Sequence, residues 1–268
     1  GPADIDTSAL RATLPDIALY ASSTDAEVIA RLAGCEILVV NKVDLDRERL
    51  AAAPGLRLVA LAATGTDNVD LAAARELGIA VANIRNYATP SVVQHVFGLV
   101  LALTLRLNEY RELLEQGAWQ RSRHFCLLDY PSRELQGRTL GIVGYGQLGR
   151  AVGTVGRAFG MHVFAARSLR DEADGYRDPD PLQVDRLELP ELLAVADVVS
   201  LHCPLTPATR HLINRDSLAR MRRDAVLVNT ARGDLVDTVA LHDALQGGRL
   251  GGAGIHVLAE APPVRGPP

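Results

Sequence analysis

The chain has 268 residues, enough to bury the cores of two ordinary domains. With 48% hydrophobic residues, 22% charged residues and a formal net charge of −4, it has a globular composition and no face of like charge that would draw nucleic acid. Its three cysteines, Cys35, Cys126 and Cys203, are widely spaced and have no Cys or His beside them at zinc-site spacing, which predicts a reducing, cytoplasmic setting and no metal.

Short apolar runs alternate with helical stretches over the first eighty-odd residues. Ile17–Tyr20, Glu36–Val40, Arg57–Leu61 and Ile79–Val81 are strand-like, with helical patterns such as Asp25–Leu32 and Val69–Leu77 between them. That rhythm predicts a parallel α/β sheet. One long helix is expected from Ser91 to Leu113. Its apolar part is interrupted by Gln94, His95, Thr104 and Arg106, which predicts a buried helix and not a membrane span. After Trp119 and a polar loop, a second alternating series follows, with strands predicted at Thr139–Val143, His162–Ala165, Val198–Leu201, Ala225–Asn229 and Gly252–Val257. The boundary falls near Tyr87–Pro90, giving domains 1–87 and 88–268, the second doubly wound.

The sharpest signal is Gly144-Tyr145-Gly146-Gln147-Leu148-Gly149, which lies between an apolar strand and a helix predicted from Gln147 to Phe159. Gly144 allows the tight turn, Gly146 lets backbone amides approach a pyrophosphate, and Gly149 lets the helix pack on the strand. The helix N-terminus, with Gln147 and Leu148 in its first turn, then faces the phosphate charge. Where an acid at the end of the next strand would bind the ribose hydroxyls of NAD, this chain has Arg167 followed by Ser168. An arginine fork suits a 2′-phosphate and Ser168 adds a donor, so NADP is favoured over NAD; a solvated arginine with either cofactor accepted is the alternative.

Four segments in this order resemble the D-isomer-specific 2-hydroxyacid dehydrogenases: Ala62-Ala63-Thr64-Gly65-Thr66-Asp67-Asn68-Val69-Asp70, the glycine turn, Leu201-His202-Cys203-Pro204-Leu205-Thr206 and Asn229-Thr230-Ala231-Arg232-Gly233. Val92-Val93-Gln94-His95 and Phe125-Cys126-Leu127-Leu128-Asp129-Tyr130 point to the glycerate dehydrogenase and hydroxypyruvate reductase-like branch. The resemblance implies two doubly wound α/β domains, a flavodoxin-like substrate domain and a Rossmann dinucleotide-binding domain. It further implies hydride transfer between nicotinamide and a small D-2-hydroxy acid or 2-oxo acid. Amides of Ala63, Thr64 and Gly65 would hold the substrate carboxylate at the domain cleft. Arg232 would bind that carboxylate and polarise the reacting carbonyl. Cys203, Pro204, Thr230 and Ala231 would contact the cofactor, and His202 would anchor its loop. A homodimer built through the long helix and the Trp119 arm is also implied, although burial within one chain would satisfy the same helix.

The chain departs from the family where protons are handled. The family glutamate before a proline is replaced by Ala261, and Glu260 could serve only if the backbone were shifted, because neighbouring side chains of an extended segment point apart. An aspartate that meets the cofactor's carboxamide end is replaced by His256, read as a cofactor-facing loop residue. The opening strand of the family, and its Pro-His segment with the helix that returns to the first domain, are not found in these residues. The sequence is therefore expected to be part of a longer protein. Two functional readings follow. One is an active enzyme with Arg232 and Glu260 as its catalytic residues; the other is a catalytically silent dinucleotide-binding sensor or interaction protein of the same fold. An unstable truncated product is a third outcome.

Overall fold

A computed structural model describes residues 6–14, 16–168 and 184–260. The chain divides into two compact units, Gly1–Asn86 and Tyr87–Pro268.

In the first unit the described elements run α1 (Ser8–Thr13), α2 (Asp25–Leu32), β1 (Ile37–Val40), α3 (Arg47–Ala51), β2 (Leu58–Leu61), α4 (Leu71–Glu76) and β3 (Ala80–Asn83). The strands form one parallel sheet in the order β1-β2-β3, with Ile37 beside Leu58 and Leu58 beside Ala80. Helix starts follow local chemistry: the Asp46 and Asp70 carboxylates accept the amides of Arg49 and Ala73, so each satisfies an orphan donor of the first turn. Leu32, Leu45, Leu50, Val59, Leu61 and Ala73 are almost completely buried and make the core.

Ile17–Tyr20, expected as a strand, is irregular chain. It pairs with none of the three described strands, and Tyr20 lies exposed under the Arg31 guanidinium, 4.0 Å from its ring. A short apolar run becomes a strand only where a neighbour completes its hydrogen bonds.

The second unit comprises α5 (Thr89–Thr104), α6 (Leu107–Glu115), α7 (Ala118–Arg121), β4 (Thr139–Val143), α8 (Gln147–Ala158), β5 (His162–Ala166), β6 (Asp185–Leu187), α9 (Leu189–Val195), β7 (Val198–Leu201), α10 (Arg215–Arg220), β8 (Val226–Asn229), a 3-10 turn at Gly233–Leu235, α11 (Thr238–Gln246) and β9 (Gly252–Ile255). All six strands are parallel, in the order β6-β5-β4-β7-β8-β9. Strand order therefore reverses between β4 and β7, the place where such sheets bind ligands at their carboxyl ends. Alternate residues feed two cores: Leu140, Ile142, Val198 and Val228 pack with α5, and Val199, Leu201 and Leu227 pack with α9 to α11.

The single helix expected over Ser91–Leu113 is two helices, bent by 58°. Arg106 takes a left-handed conformation (φ 56°), and the Thr104 carbonyl, which a continuous helix would use, accepts the Arg133 amide at 2.9 Å instead. No single described helix is long and apolar enough to cross a membrane. Strand β6 was not expected, because Asp185-Arg186-Leu187 carries no apolar run; its pairing with β5 makes it a strand. Strand β9 ends at Ile255, short of the expected Val257.

Ile142 is fully buried in the core shared with α5 and α8. Ile142→Ala should cost about 2–5 kcal/mol and lower Tm by about 5–15 °C. A thermal melt showing a fall below about 2 °C would contradict this packing.

Candidate active site

The turn after β4 meets three separate constraints. Gly144 has φ +95°, and a Cβ there would stand 2.5 Å from the Cys203 amide nitrogen, so neither its conformation nor its surroundings admit a side chain. A Cβ on Gly149 would collide with the Gly144 carbonyl oxygen, because α8 leaves the turn against it. Gly146 faces open space and is the N-cap of the twelve-residue α8, which no side chain caps. Open space before uncapped helix amides is the place a pyrophosphate needs.

The end of β7 presses on this turn from across the strand reversal. The His202 amide donates to the Val143 carbonyl at 2.7 Å, and Ser200 Oγ, fully buried, lies 2.8 Å from His202 Nε2. Burial drops the His202 pKa to about 4, so its imidazole is neutral at physiological pH. Burial also pushes the Cys203 thiol up to about 11, which keeps it protonated and no nucleophile. The Pro204 carbonyl accepts the Thr209 hydroxyl at 2.7 Å.

At the end of β8 the buried side chain of Asn229 staples the next loop. Its Oδ1 accepts the Ala231 amide at 3.0 Å and its Nδ2 donates to the Arg232 carbonyl at 2.8 Å. The half-buried Arg232 is thereby presented at the carboxyl edge of the sheet, with its Nη1 donating to the Ala231 carbonyl at 2.9 Å. Thr230 Oγ1 is buried and has no hydrogen-bond partner among the described residues, a second sign that this edge receives a polar group. A Cβ on Gly233 would strike the backbone at Leu258–Ala259, so the segment after β9 lies directly on this loop. His256 joins it through its amide, which donates to the Asn229 carbonyl at 3.0 Å, and its ring meets that of His95 on α5 edge-on at 4.5 Å. Sequence reasoning missed Asn229 as a site organiser. An amide closing the apolar run Ala225–Val228 was the available signal.

Of the remaining site candidates, Gln147 Nε2 donates to Thr89 Oγ1 at 3.1 Å, and Leu148 is half-buried in the first turn of α8. Arg167 follows β5 and its Nε lies 2.9 Å from the Glu188 carboxylate; Ser168 beside it is exposed. Glu260 is exposed and makes no ion pair or hydrogen bond among the described residues, and Ala261 lies outside them. In the first unit, Ala63, Thr64 and Gly65 follow β2. The Thr64 hydroxyl donates to the Ile84 carbonyl at 3.0 Å and Asn83 Nδ2 donates to the Thr64 carbonyl at 2.7 Å, which fixes the turn without using its three amides. No group of three or more described His, Cys, Asp or Glu residues could hold a metal. Taken together, the glycine turn, the uncapped helix and the unpartnered Thr230 hydroxyl fit a dinucleotide.

Residues 97–268 match the family model described as "D-isomer specific 2-hydroxyacid dehydrogenase, NAD binding domain". The chain is 44% identical to a glycerate dehydrogenase of Methylorubrum extorquens, covering 91% of this chain and 74% of that protein. It is 36% identical to a hydroxypyruvate reductase of Blautia hydrogenotrophica, covering 97% and 80%. Among solved structures, an acyclic imino acid reductase in complex with NADPH and D-Arg superposes with a TM-score of 0.81 at 27% identity, covering 90% of this chain and 75% of that one.

The neutral His202 has a consequence for stability. In the unfolded chain it titrates near 6.5 and in the fold near 4, so between these values the unfolded state binds the extra proton. This contribution is complete above about pH 6.5 and is lost as pH falls toward 4, by up to about 3 kcal/mol. His202→Gln, which can still bond Ser200, should flatten stability between pH 4.5 and 6.5 in urea titrations. An unchanged pH slope would show that His202 is already charged in the fold.

Proposed function

This chain belongs to the D-isomer-specific 2-hydroxyacid dehydrogenase family, in its glycerate dehydrogenase and hydroxypyruvate reductase-like branch, and we propose that its substrates are of the glycerate/hydroxypyruvate or glyoxylate type. It is an oxidoreductase that transfers hydride between a nicotinamide cofactor and a small D-2-hydroxy acid or 2-oxo acid. The observation that carries the substrate reading is the Asn229 staple, which holds Arg232 at the sheet edge that also carries the glycine turn.

The nicotinamide, when bound, supplies the hydride for C2 of the 2-oxo acid. Gly144, Gly146 and Gly149 shape the turn that receives the pyrophosphate, with the first amides of α8, at Gln147 and Leu148, as donors. The Thr230 hydroxyl, the Ala231 backbone and the Cys203-Pro204 segment line the cofactor's path, and His256 stands beside them. Arg232 binds the substrate carboxylate and draws electron density onto the carbonyl oxygen as negative charge develops there. By the same resemblance the turn amides of Ala63, Thr64 and Gly65, in the first unit, are carboxylate donors. Glu260 is the carboxylate nearest in sequence to the altered position 261. Its exposure and its lack of a partner among the described residues are the one observation behind the second reading, a dinucleotide-binding protein without turnover.

Arg167 supports NADP over NAD, because no acid ends β5. The exposed side chains beyond the break in α5 support a homodimer: Phe125 is 91% and Leu128 80% exposed, and Trp119 and Leu107 belong to the same stretch. Three unpaired cysteines suit the cytoplasm.

Hydroxypyruvate and glyoxylate, each assayed with NADH and NADPH, test the function, and cofactor binding without turnover would favour the silent reading. Arg232→Gln should lower kcat/KM by about 100- to 1000-fold while the cofactor Kd stays within about threefold. A loss below about threefold would remove Arg232 from catalysis. Light scattering should give a mass near twice 28.7 kDa, reduced by Phe125→Asp; a wild-type monomer would refute the dimer.

A further inference from the structure

We propose that Arg167 and Glu188 together form a ribose selector, in which Glu188 supplies the hydroxyl-binding carboxylate for NAD and yields Arg167 to the 2′-phosphate of NADP. The inference deepens the dinucleotide reading above and rests on it. Strands β5 and β6 are parallel, with Ala166 beside Leu187, and the Arg167 amide extends their ladder by donating to the Leu187 carbonyl at 2.9 Å. Arg167 and Glu188 are therefore the first residues past two adjacent strand ends on the carboxyl edge. In dinucleotide domains the acid that binds the ribose hydroxyls ends the second strand. Here the second strand ends in arginine, and a carboxylate stands beside it at the end of the third.

The pair's geometry leaves both roles open. Arg167 Nε meets the Glu188 carboxylate at 2.9 Å; Nη1 and Nη2 have no partner among the described residues, and that edge of the fork can grip a phosphate bidentately. Glu188 is the N-cap of α9 in a reciprocal capping box with Glu191: its amide donates to the Glu191 carboxylate at 3.2 Å and its own carboxylate faces the Glu191 amide, so the carboxylate keeps a place to rest when Arg167 leaves it. Both side chains are nearly two-thirds exposed, 63% and 64%, so the pair is weak and a phosphate dianion can displace the carboxylate. A ribose bearing only hydroxyls gives Glu188 two donors to accept and no charge to repel it.

The test is calorimetric titration of the intact protein with adenosine 2′,5′-bisphosphate and with 5′-AMP, neither of which can react. Glu188→Gln should tighten the bisphosphate by about fivefold and weaken AMP by about threefold, because it frees the Arg167 guanidinium from a competing carboxylate and replaces the acceptor of the ribose hydroxyls by a weaker one. Arg167→Ala should weaken the bisphosphate by about tenfold or more and leave AMP unchanged. The gain from Glu188→Gln should vanish in the Arg167→Ala background. The selector is overturned if Glu188→Gln moves both affinities in one direction, if their ratio changes by less than about twofold, or if the gain survives without Arg167. If Arg167→Ala leaves the bisphosphate unaffected, the NADP assignment falls and the selector with it. Failure of the wild type to bind either fragment or NADPH would instead refute the dinucleotide reading itself.

Discussion

The second unit is organised around the approach of the β7 loop to Gly144. A parallel sheet whose strand order reverses must bring the ends of β4 and β7 side by side, and the next residues of both chains then compete for one volume. Here the competition is resolved by a residue without a side chain, at a φ that other residues adopt only under strain. Once Gly144 is fixed, Gly149 follows, because α8 starts against the Gly144 carbonyl. The helix amides then point into the open space before Gly146. One steric constraint thus sets the direction of the helix dipole, and with it the sign of the ligand.

Electrostatics along the carboxyl edge is consistent with that sign. His202 and Cys203, which abut the turn from the end of β7, are kept neutral by burial. Neither therefore competes with backbone donors for a phosphate. Charged side chains stand to either side of the turn along this edge: Arg232 after β8, and Arg167 with Glu188 after β5 and β6. Arg232 is held by an amide staple and partly buried, whereas the Arg167 side chain is exposed and, among the described residues, meets a surface carboxylate. A rigid arginine suits a reacting carbonyl that must be met at one place, and a loosely held one suits a choice between ligands.

Much of this was legible in the residues because close packing dictates composition. The three glycines of the turn, the apolar strands Thr139–Val143 and Val198–Leu201, and the start and end of α2 all follow from local chemistry. What could not be read depends on partners distant in sequence. Strand β6 is polar and exists through β5. Ile17–Tyr20 is apolar enough for a strand and lacks a described neighbour. The break at Arg106 depends on the Arg133 amide reaching the Thr104 carbonyl, and Glu188 gains meaning only beside Arg167. Asn229 was visible within its motif, but its two hydrogen bonds require the fold of the loop.

The broken helix shows how one segment can meet opposed demands. Over Thr89–Thr104 the chain lies so close to β9 that Cβ atoms on Gly252 and Gly254 would touch Leu103 and Leu99, and Val96, Phe97 and Val100 vanish into the core. A straight continuation would prolong that apolar face beyond the sheet that buries it. The left-handed residue at Arg106 redirects the chain where the sheet's cover ends, and the Arg106–Glu109 ion pair at 3.1 Å holds the new direction. Beyond the bend no further core residue is supplied by α6 or α7, which contain none that is buried. The apolar side chains of that arm are therefore not needed by the second unit's cores. Exposed apolar side chains gathered on such an arm are the ones that the proposed dimer would cover.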